Sequence, residues 1–283
     1  MIFGDIEYTD NHGTSSGIIP RFFLQMLDLA EFAFDSKEER DRLFENFDKD
    51  NIPDFTEFYD IFHELQANYE EYKTGLVNGT FLKIQSGGTY QLDRGIEIEM
   101  RKRIKNFFIV GRRLINNFVQ SEMIRDEKID LRKLVIVNDE KFKNSKEKFM
   151  SSHKGISYDI LFRIVEDARH EFLEPFNNIR DKIEHVGFKM PKFSIQRTTN
   201  GLTIIEPSFN GKLVLIQEIE NYYRQILDFI ENLMVYYFGL RAYERTNGRL
   251  TLYYRKDHDF PSLIYKYVIM IRIGDPSLTL LIN

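Results

Sequence analysis

The amino-acid sequence predicts a mainly α-helical protein with β-hairpin additions. Long stretches carry apolar residues at helical spacing, and several of them begin at a proline or at a capping residue. Shorter stretches alternate apolar and polar residues around turns that contain glycine or asparagine, which is typical of hairpins. The chain has 283 residues, enough to bury a large core, and its 25 Phe and 15 Tyr supply many rings for that core.

Residues 1–75 are predicted to form an acidic, helical N-terminal region. Pro20 suits the first turn of a first helix. Ser36, followed three residues later by Glu39, forms a capping box, which predicts the start of a second helix. Pro53 is predicted to begin a third helix.

The acidic segment at residues 48–58 has aspartates spaced somewhat as in a calcium-binding loop. Such a loop needs glycine at its sixth position and a bidentate glutamate at its twelfth. Counting from Asp48, these positions hold Pro53 and Tyr59. We therefore interpret the segment as a connection between two helices and not as a calcium site.

Gly75, Asn78 and Gly79 mark the predicted boundary, after which residues 76–283 form a second, helical domain with hairpins. Its elements are predicted in this order: a hairpin at 80–92, a helix at 96–124, a helical series at 157–186, a hairpin at 192–207, a helix at 215–240 and strands from 249 onward. Pro175 lies inside the helical series, so we expect a kink or a break there, with a new helix beginning near it. Gly187 is the predicted stop of that helix.

The net charge of −5 hides an uneven distribution of charge. Residues 1–72 carry 18 acidic and 5 basic side chains, against 26 acidic and 34 basic in the remainder. A basic part of this kind favours binding to a polyanion such as RNA, although a solvated basic surface has the same composition.

A lysine-rich segment at residues 141–148 belongs to this basic part. Lys141 and Lys143 are candidates for binding RNA phosphates, and Phe142 and Phe149 are candidates for stacking on bases. The alternative interpretation of the segment is a solvated loop.

Missing motifs exclude several classes of enzyme. The chain has no phosphate-binding Gly-Lys-Ser/Thr loop and no Gly-x-Gly-x-x-Gly fingerprint. The 6 histidines are scattered without metal-ligand spacing, and the lack of cysteine excludes disulfides, thiol nucleophiles and Cys-ligated metals. We therefore expect no metal and no cofactor, and arginine and histidine remain as the candidate catalytic side chains.

Near the end of the helical series, residues 177–188 read NNIRDKIEHVGF. Arg180 is followed directly by Asp181, then by three residues, then by His185. This pattern resembles the HEPN family of helical-bundle domains, whose ribonuclease members carry Arg, then Asn, Asp or His, then three residues and His. The resemblance implies a HEPN-like helical bundle and metal-independent cleavage of RNA.

On this resemblance Arg180, Asp181 and His185 are the catalytic residues. A histidine titrates near pH ~6.5 and exchanges protons at cellular pH. Arginine stays charged and presents a planar fork to phosphate oxygens, and the aspartate would orient one of the other two. Arg180 and His185 lie five residues apart, about 140° around an ideal helix. That separation fits the family arrangement in which two motifs, usually from two subunits, form one site.

A structural alternative accounts for the same residues. Arg180 and Glu184 are four residues apart and suit a helix-surface ion pair, and Asp181 and His185 suit a hydrogen bond for the same reason.

A second pair, Arg163 and His170, lies seven residues apart on one predicted helix face. This pair either contacts substrate or forms part of a polar surface stripe. No small polar residue follows Arg163, so the pair does not repeat the Arg-polar-x3-His pattern.

The resemblance also implies a toxin or phage-defence effector, and a cytoplasmic location is the default expectation for a sequence without a signal peptide or a membrane span. Its expected partners are RNA, a second copy of the chain, and an antitoxin or other protein. The apolar runs are far shorter than the ~20 residues of a membrane span, and the first residues lack the features of a signal peptide, so we expect no membrane contact. The alternative function is a non-catalytic HEPN-like or unrelated helical protein that binds RNA, a nucleotide or a protein partner.

Overall fold

The computed structural model describes residues 18–84, 90–124, 130–135, 139–152, 156–184, 191–198, 201–209, 211–247, 250–254 and 267–271. This part of the chain is mainly helical, as predicted. Within it, no helix is both long enough and apolar enough to cross a membrane.

The described elements follow one another as helices interrupted by short strand pairs. The α-helices are α1 Ile18–Ala33, α2 Lys37–Val77, α3 Gly95–Phe118, α4 Arg132–Val135, α5 Asp139–Ser152, α6 Ile156–Ala168, α7 Glu174–Glu184 and α8 Leu215–Arg245. A five-residue π-helix, Arg169–Leu173, joins α6 to α7. The strands pair antiparallel as β1 Leu82–Ile84 with β2 Tyr90–Leu92, β3 Ser194–Thr198 with β4 Gly201–Ile205, and β5 Leu250–Tyr254 with β6 Tyr267–Ile271.

Both predicted hairpins are confirmed, as are strands beyond residue 249. Leu82 pairs with Leu92 in the first hairpin, and Ser194 pairs with Ile205 in the second. Of the residues predicted to form turns, Gly201 is the first residue of β4. The others lie outside the described ranges, namely Ser86, Gly87 and Gly88, then Thr199 and Asn200, and in the tail Phe260, Pro261, Gly274, Asp275 and Pro276.

The long helices predicted at 96–124 and 215–240 are confirmed as α3 and α8. α3 ends at Phe118, and the backbone N–H groups of Gln120 and Ser121 bond three residues back, to the carbonyls of Asn117 and Phe118 at 3.1 and 3.0 Å. α8 continues past residue 240 to Arg245 and buries Ala242 completely.

The predicted interruption before Pro53 is wrong, because α2 continues through this proline. Proline cannot donate the internal helix hydrogen bond and costs about 3 kcal/mol in a helix interior. Phe47, Phe55 and Phe58 are each at least 97% buried on either side of it, and burial of such rings offsets this cost. The acidic segment at 48–58 is therefore helical and does not connect two helices.

Ser36 caps α2 as the sequence predicts. The backbone N–H of Glu39 donates to Ser36 Oγ at 3.0 Å, and that of Arg40 donates to the Ser36 carbonyl at 3.2 Å. The first of these bonds satisfies a backbone donor that has no partner within the helix.

Replacing Ser36 by alanine is expected to lower the free energy of unfolding by about 1 kcal/mol, because a backbone donor at the start of α2 loses its partner. Urea denaturation followed by circular dichroism measures the change. Ser36→Gly is the matched control, with an expected loss of only a few tenths of a kcal/mol. A Ser36→Ala variant as stable as the wild type would contradict the capping role.

Within the helical series predicted over residues 157–186, the α-helix gives way to a π-helix before Pro175. α6 passes into the π-helix, and the backbone N–H of Glu174 bonds to the carbonyl of Arg169, five residues back. α7 then begins at Glu174, so the prediction of a new helix near Pro175 is confirmed. The predicted stop at Gly187 lies outside the described residues.

Backbone contacts divide the chain into two compact units. The first unit consists of Met1–Pro53, Ile115–Glu174 and Arg224–Asn283, and the second consists of Asp54–Leu114 and Pro175–Tyr223. The unit boundaries thus lie at other positions than residue 75. The division into domains at that residue stays a prediction.

Each unit has an aromatic core. In the first unit the ring of Phe118 lies 6.3 Å from that of Phe22 and 6.2 Å from that of Phe47, both in edge contacts. In the second unit Phe58 stacks on Phe107 at 5.0 Å and on Tyr223 at 5.2 Å. These contacts explain the high phenylalanine content of the chain.

Candidate functional site

α7 carries the first two residues of the predicted motif, Arg180 and Asp181. Phe176 and Ile183 are buried and anchor the apolar side of the helix. Asp181 is exposed and Arg180 is partly exposed. The described part of the motif therefore lies at the protein surface, where a substrate or another subunit has access.

Two carboxylates hold the guanidinium of Arg180. Its Nη1 lies 3.0 Å from Asp181 Oδ1 and 2.9 Å from Glu184 Oε2. The contact with Glu184 is the helix-surface ion pair that the sequence offered as the structural alternative. The Nε of Arg180 is buried and has no hydrogen-bond partner among the described residues.

Asp181 forms a hydrogen bond with its neighbour Arg180. The Arg180 Nη1 donates to Asp181 Oδ1 at 3.0 Å. Asp181 is predicted to orient either Arg180 or His185, and this hydrogen bond is compatible with the first of these roles. His185 follows α7 directly and lies outside the described residues. Its hydrogen bond with Asp181 stays a prediction.

A second guanidinium contacts the motif helix. Arg112 of α3 donates from Nη1 to Asn177 Oδ1 at 2.7 Å. Asn177 precedes Arg180 by three residues and therefore shares its helix face. The sequence does not reveal this contact, because a contact between residues 65 apart leaves no local pattern.

The four predicted substrate-binding residues are all exposed. Arg163 lies on α6, His170 in the π-helix, and Lys141 and Lys143 on α5. They belong to the first unit, whereas Arg180 and Asp181 belong to the second. The role of the four residues in RNA binding stays a prediction.

The lysine-rich segment at residues 141–148 is helical, so its interpretation as a loop is wrong. Phe142 is buried, and the Arg169 guanidinium lies 4.6 Å from its ring centre. A ring that packs in this way cannot stack on a base, which removes one predicted RNA contact. Lys146 forms an ion pair, with its Nζ 2.5 Å from Glu166 Oε1.

The basic outer face of α3 is paired with carboxylates. The ion pairs are Arg101 with Glu97, Lys102 with Glu99, Arg103 with Glu64, and Arg113 with both Asp54 and Glu57. Three of these acidic partners lie on α2, within the acidic first 72 residues. Part of the charge asymmetry in the sequence is therefore used to pair α2 with α3 inside the second unit.

The described residues contain no arrangement of three or more His, Asp or Glu side chains that could hold a metal ion. The groups of the predicted motif are the Arg180 guanidinium on α7, its carboxylate neighbours Asp181 and Glu184, and His185, which follows α7 in the sequence.

Comparison of the chain with protein-family models, with curated proteins and with solved structures gives no significant match.

Proposed function

We propose that this chain is a metal-independent endoribonuclease of the HEPN type that acts as a homodimer. It cleaves RNA by attack of a 2′-hydroxyl on the adjacent phosphate, which leaves a 2′,3′-cyclic phosphate and a 5′-hydroxyl. RNA supplies this nucleophile itself, so the protein has only to move protons and stabilise negative charge. A cytoplasmic role as a toxin or phage-defence effector, with an antitoxin or other protein partner, belongs to the same proposal.

The observation that carries the proposal is the Arg180-Asp181-x3-His185 sequence pattern, whose first two residues lie on the amphipathic helix α7. Phe176 and Ile183 bury one side of this helix, while Asp181 is exposed. The mainly helical surroundings are compatible with a HEPN-like bundle.

Each residue of the motif has a defined chemical task in this proposal. His185 takes the proton from the 2′-hydroxyl or gives one to the leaving 5′-oxygen. Arg180 stabilises the charge that develops on the phosphate, and Asp181 holds the guanidinium in place through their 3.0 Å contact.

The ion pairs of Arg180 do not prevent it from binding phosphate. An ion pair between exposed side chains contributes only roughly 0.2–1 kcal/mol, and both carboxylate partners of Arg180 are at least 39% exposed. A phosphate offers the guanidinium two parallel, charge-assisted hydrogen bonds in exchange.

The proposal needs two copies of the motif. Residues five apart project about 140° apart around an ideal helix, so the spacing of the motif predicts that Arg180 and His185 of one chain do not converge on one phosphate. Two motifs from two subunits would supply the arginine and the histidine to one composite cleft.

Replacing Arg180 by alanine is expected to lower the rate of RNA cleavage by about 10²–10³-fold, because a charged donor to the reacting phosphate is lost. The measurement is cleavage of labelled RNA under single-turnover conditions in the presence of EDTA. Lys182→Ala is the matched control, since Lys182 is an exposed cation on the same helix at one of the three unspecified positions of the motif. Equal rates in the Arg180→Ala and Lys182→Ala variants would contradict the proposal.

A second candidate function is a non-catalytic helical protein that binds RNA, a nucleotide or a protein partner. The double ion pair of Arg180 favours it, because a guanidinium held by Asp181 and Glu184 also serves a purely structural role. Under this alternative the wild-type protein binds RNA or a partner and leaves RNA intact in the same assay.

A further inference from the structure

A polar cleft of about 580 Å³ opens in the first unit, between α2 and the end of α3 with the turn that follows it. Amide side chains dominate its lining, namely those of Asn46, Asn51, Asn117 and Gln120. Small-molecule sites have volumes of about 300–1,000 Å³, but most of them are lined by apolar groups. A lining of amides therefore indicates a ligand that is rich in hydrogen-bonding groups.

The most informative residue in this lining is Asn51. Its side chain is nearly fully buried, at 2% exposure, and its Nδ2 has no hydrogen-bond partner among the described residues. A buried donor without a partner costs free energy, and native proteins rarely leave one. The terminal torsion of an asparagine is broad, so the amide turns toward a ligand without breaking a hydrogen bond of Nδ2.

The same segment of α2 provides an acceptor. In an α-helix the carbonyl of Lys49 receives the N–H of residue 53, but that residue is proline and has no N–H. Lys49 also lines the cleft. The free amide donor and this carbonyl therefore lie two residues apart in the helical segment that borders the cleft.

The charged residues of the cleft disfavour a phosphate group inside it. They are one lysine and two carboxylates, Lys49, Asp50 and Glu122, and the net negative charge repels polyphosphates. Carboxylates are, in contrast, good acceptors for ribose hydroxyls, as in dinucleotide-binding folds. Glu122 already accepts a hydrogen bond from Asn46 Nδ2 at 3.3 Å.

We propose that this cleft binds a nucleoside, with the edge of the base held by the amides and the ribose hydroxyls held by the carboxylates. Asparagine and glutamine amides are well suited to a base edge, because each offers a donor beside an acceptor. The cleft uses none of the residues assigned to RNA cleavage. The same base is available as a free nucleoside or as an unpaired base of RNA.

The test is isothermal titration calorimetry of the full chain with each of four probes, namely adenosine, guanosine, cytidine and uridine. Two further arms use the matching 5′-monophosphates and a short single-stranded RNA, and an abasic ribose-phosphate oligomer of equal length controls for backbone binding. Asn51→Leu removes the buried donor at similar volume, and Asn106→Leu is its control on an exposed position of α3. Gln120→Ala is a second variant at an exposed lining position that does not threaten the core.

The expected result is saturable binding of at least one nucleoside, weakened about tenfold by Asn51→Leu, weakened by Gln120→Ala, and unchanged by Asn106→Leu. The 5′-monophosphate is expected to bind no tighter than its nucleoside. Tighter binding of the RNA that is lost in Asn51→Leu identifies an unpaired RNA base as the source of the ligand. The proposal is overturned if neither nucleoside nor RNA saturates the protein, if both cleft variants bind like the wild type, or if the abasic oligomer binds as tightly as the RNA.

Discussion

Replacing His185 by alanine is expected to lower the rate of RNA cleavage by about 10²–10⁴-fold, because the reaction loses the group that transfers protons at neutral pH. The effect should lie in the cleavage step and not in RNA binding, since phosphate contacts provide most of the affinity for RNA. Single-turnover cleavage and filter binding, measured on the same preparation in EDTA, separate the two.

His170→Ala provides the comparison for this variant. His170 is exposed and predicted to contact substrate, so its loss is expected to weaken RNA binding and to leave the cleavage step nearly unchanged. If His185→Ala cleaves RNA at the wild-type rate, His185 has no catalytic role. If the cleavage rate at saturating protein falls by the same factor in His185→Ala and His170→Ala, the assignment of His185 alone to proton transfer is wrong.

Replacing Phe58 by alanine is expected to lower the free energy of unfolding by about 3–5 kcal/mol, the usual cost of deleting a fully buried phenyl ring. Phe58 is 0% exposed, and its ring stacks on those of Phe107 and Tyr223 at 5.0 and 5.2 Å. Urea denaturation followed by near-ultraviolet circular dichroism reports on this aromatic core.

Val77→Ala is the control for the core variant, because Val77 at the end of α2 is 72% exposed. Its expected change is within about 0.5 kcal/mol. A loss below about 1 kcal/mol in Phe58→Ala would show that the ring is not packed as the structure has it.

The helices were the most predictable part of the fold. Ile104, Phe108 and Ile115 recur at helical spacing in α3, and all three are fully buried. Ser36 and its capping contact were also readable from sequence, since the partners are three residues apart. Local patterns of this kind need no knowledge of the rest of the chain.

The continuity of α2 through Pro53 could not be predicted in the same way. The local cost of a proline in a helix is plain from sequence, but the compensating burial of Phe55 and Phe58 depends on residues that are distant along the chain. The ring of Phe58, for instance, stacks on Phe107. Tertiary packing therefore overrides the local helix-breaking preference.

The candidate site was only partly predictable. The ion pair between Arg180 and Glu184 follows from a spacing of four residues and was foreseen as the alternative to catalysis. The contact of Arg112 with Asn177 joins residues 65 apart, and no local spacing reveals such a pair. The burial of the Arg180 Nε likewise depends on residues that are close in space and not on a local sequence pattern.

In the proposed function, the motif formed by Arg180, Asp181 and His185 cleaves RNA without a metal. The most direct test is analysis of the RNA ends formed in EDTA by the wild-type protein and by the Arg180→Ala and His185→Ala variants, purified in parallel. We expect 2′,3′-cyclic phosphate and 5′-hydroxyl ends with the wild type and neither end with the two variants. Intact RNA with the wild type, or the same ends in equal yield with both variants, would contradict it.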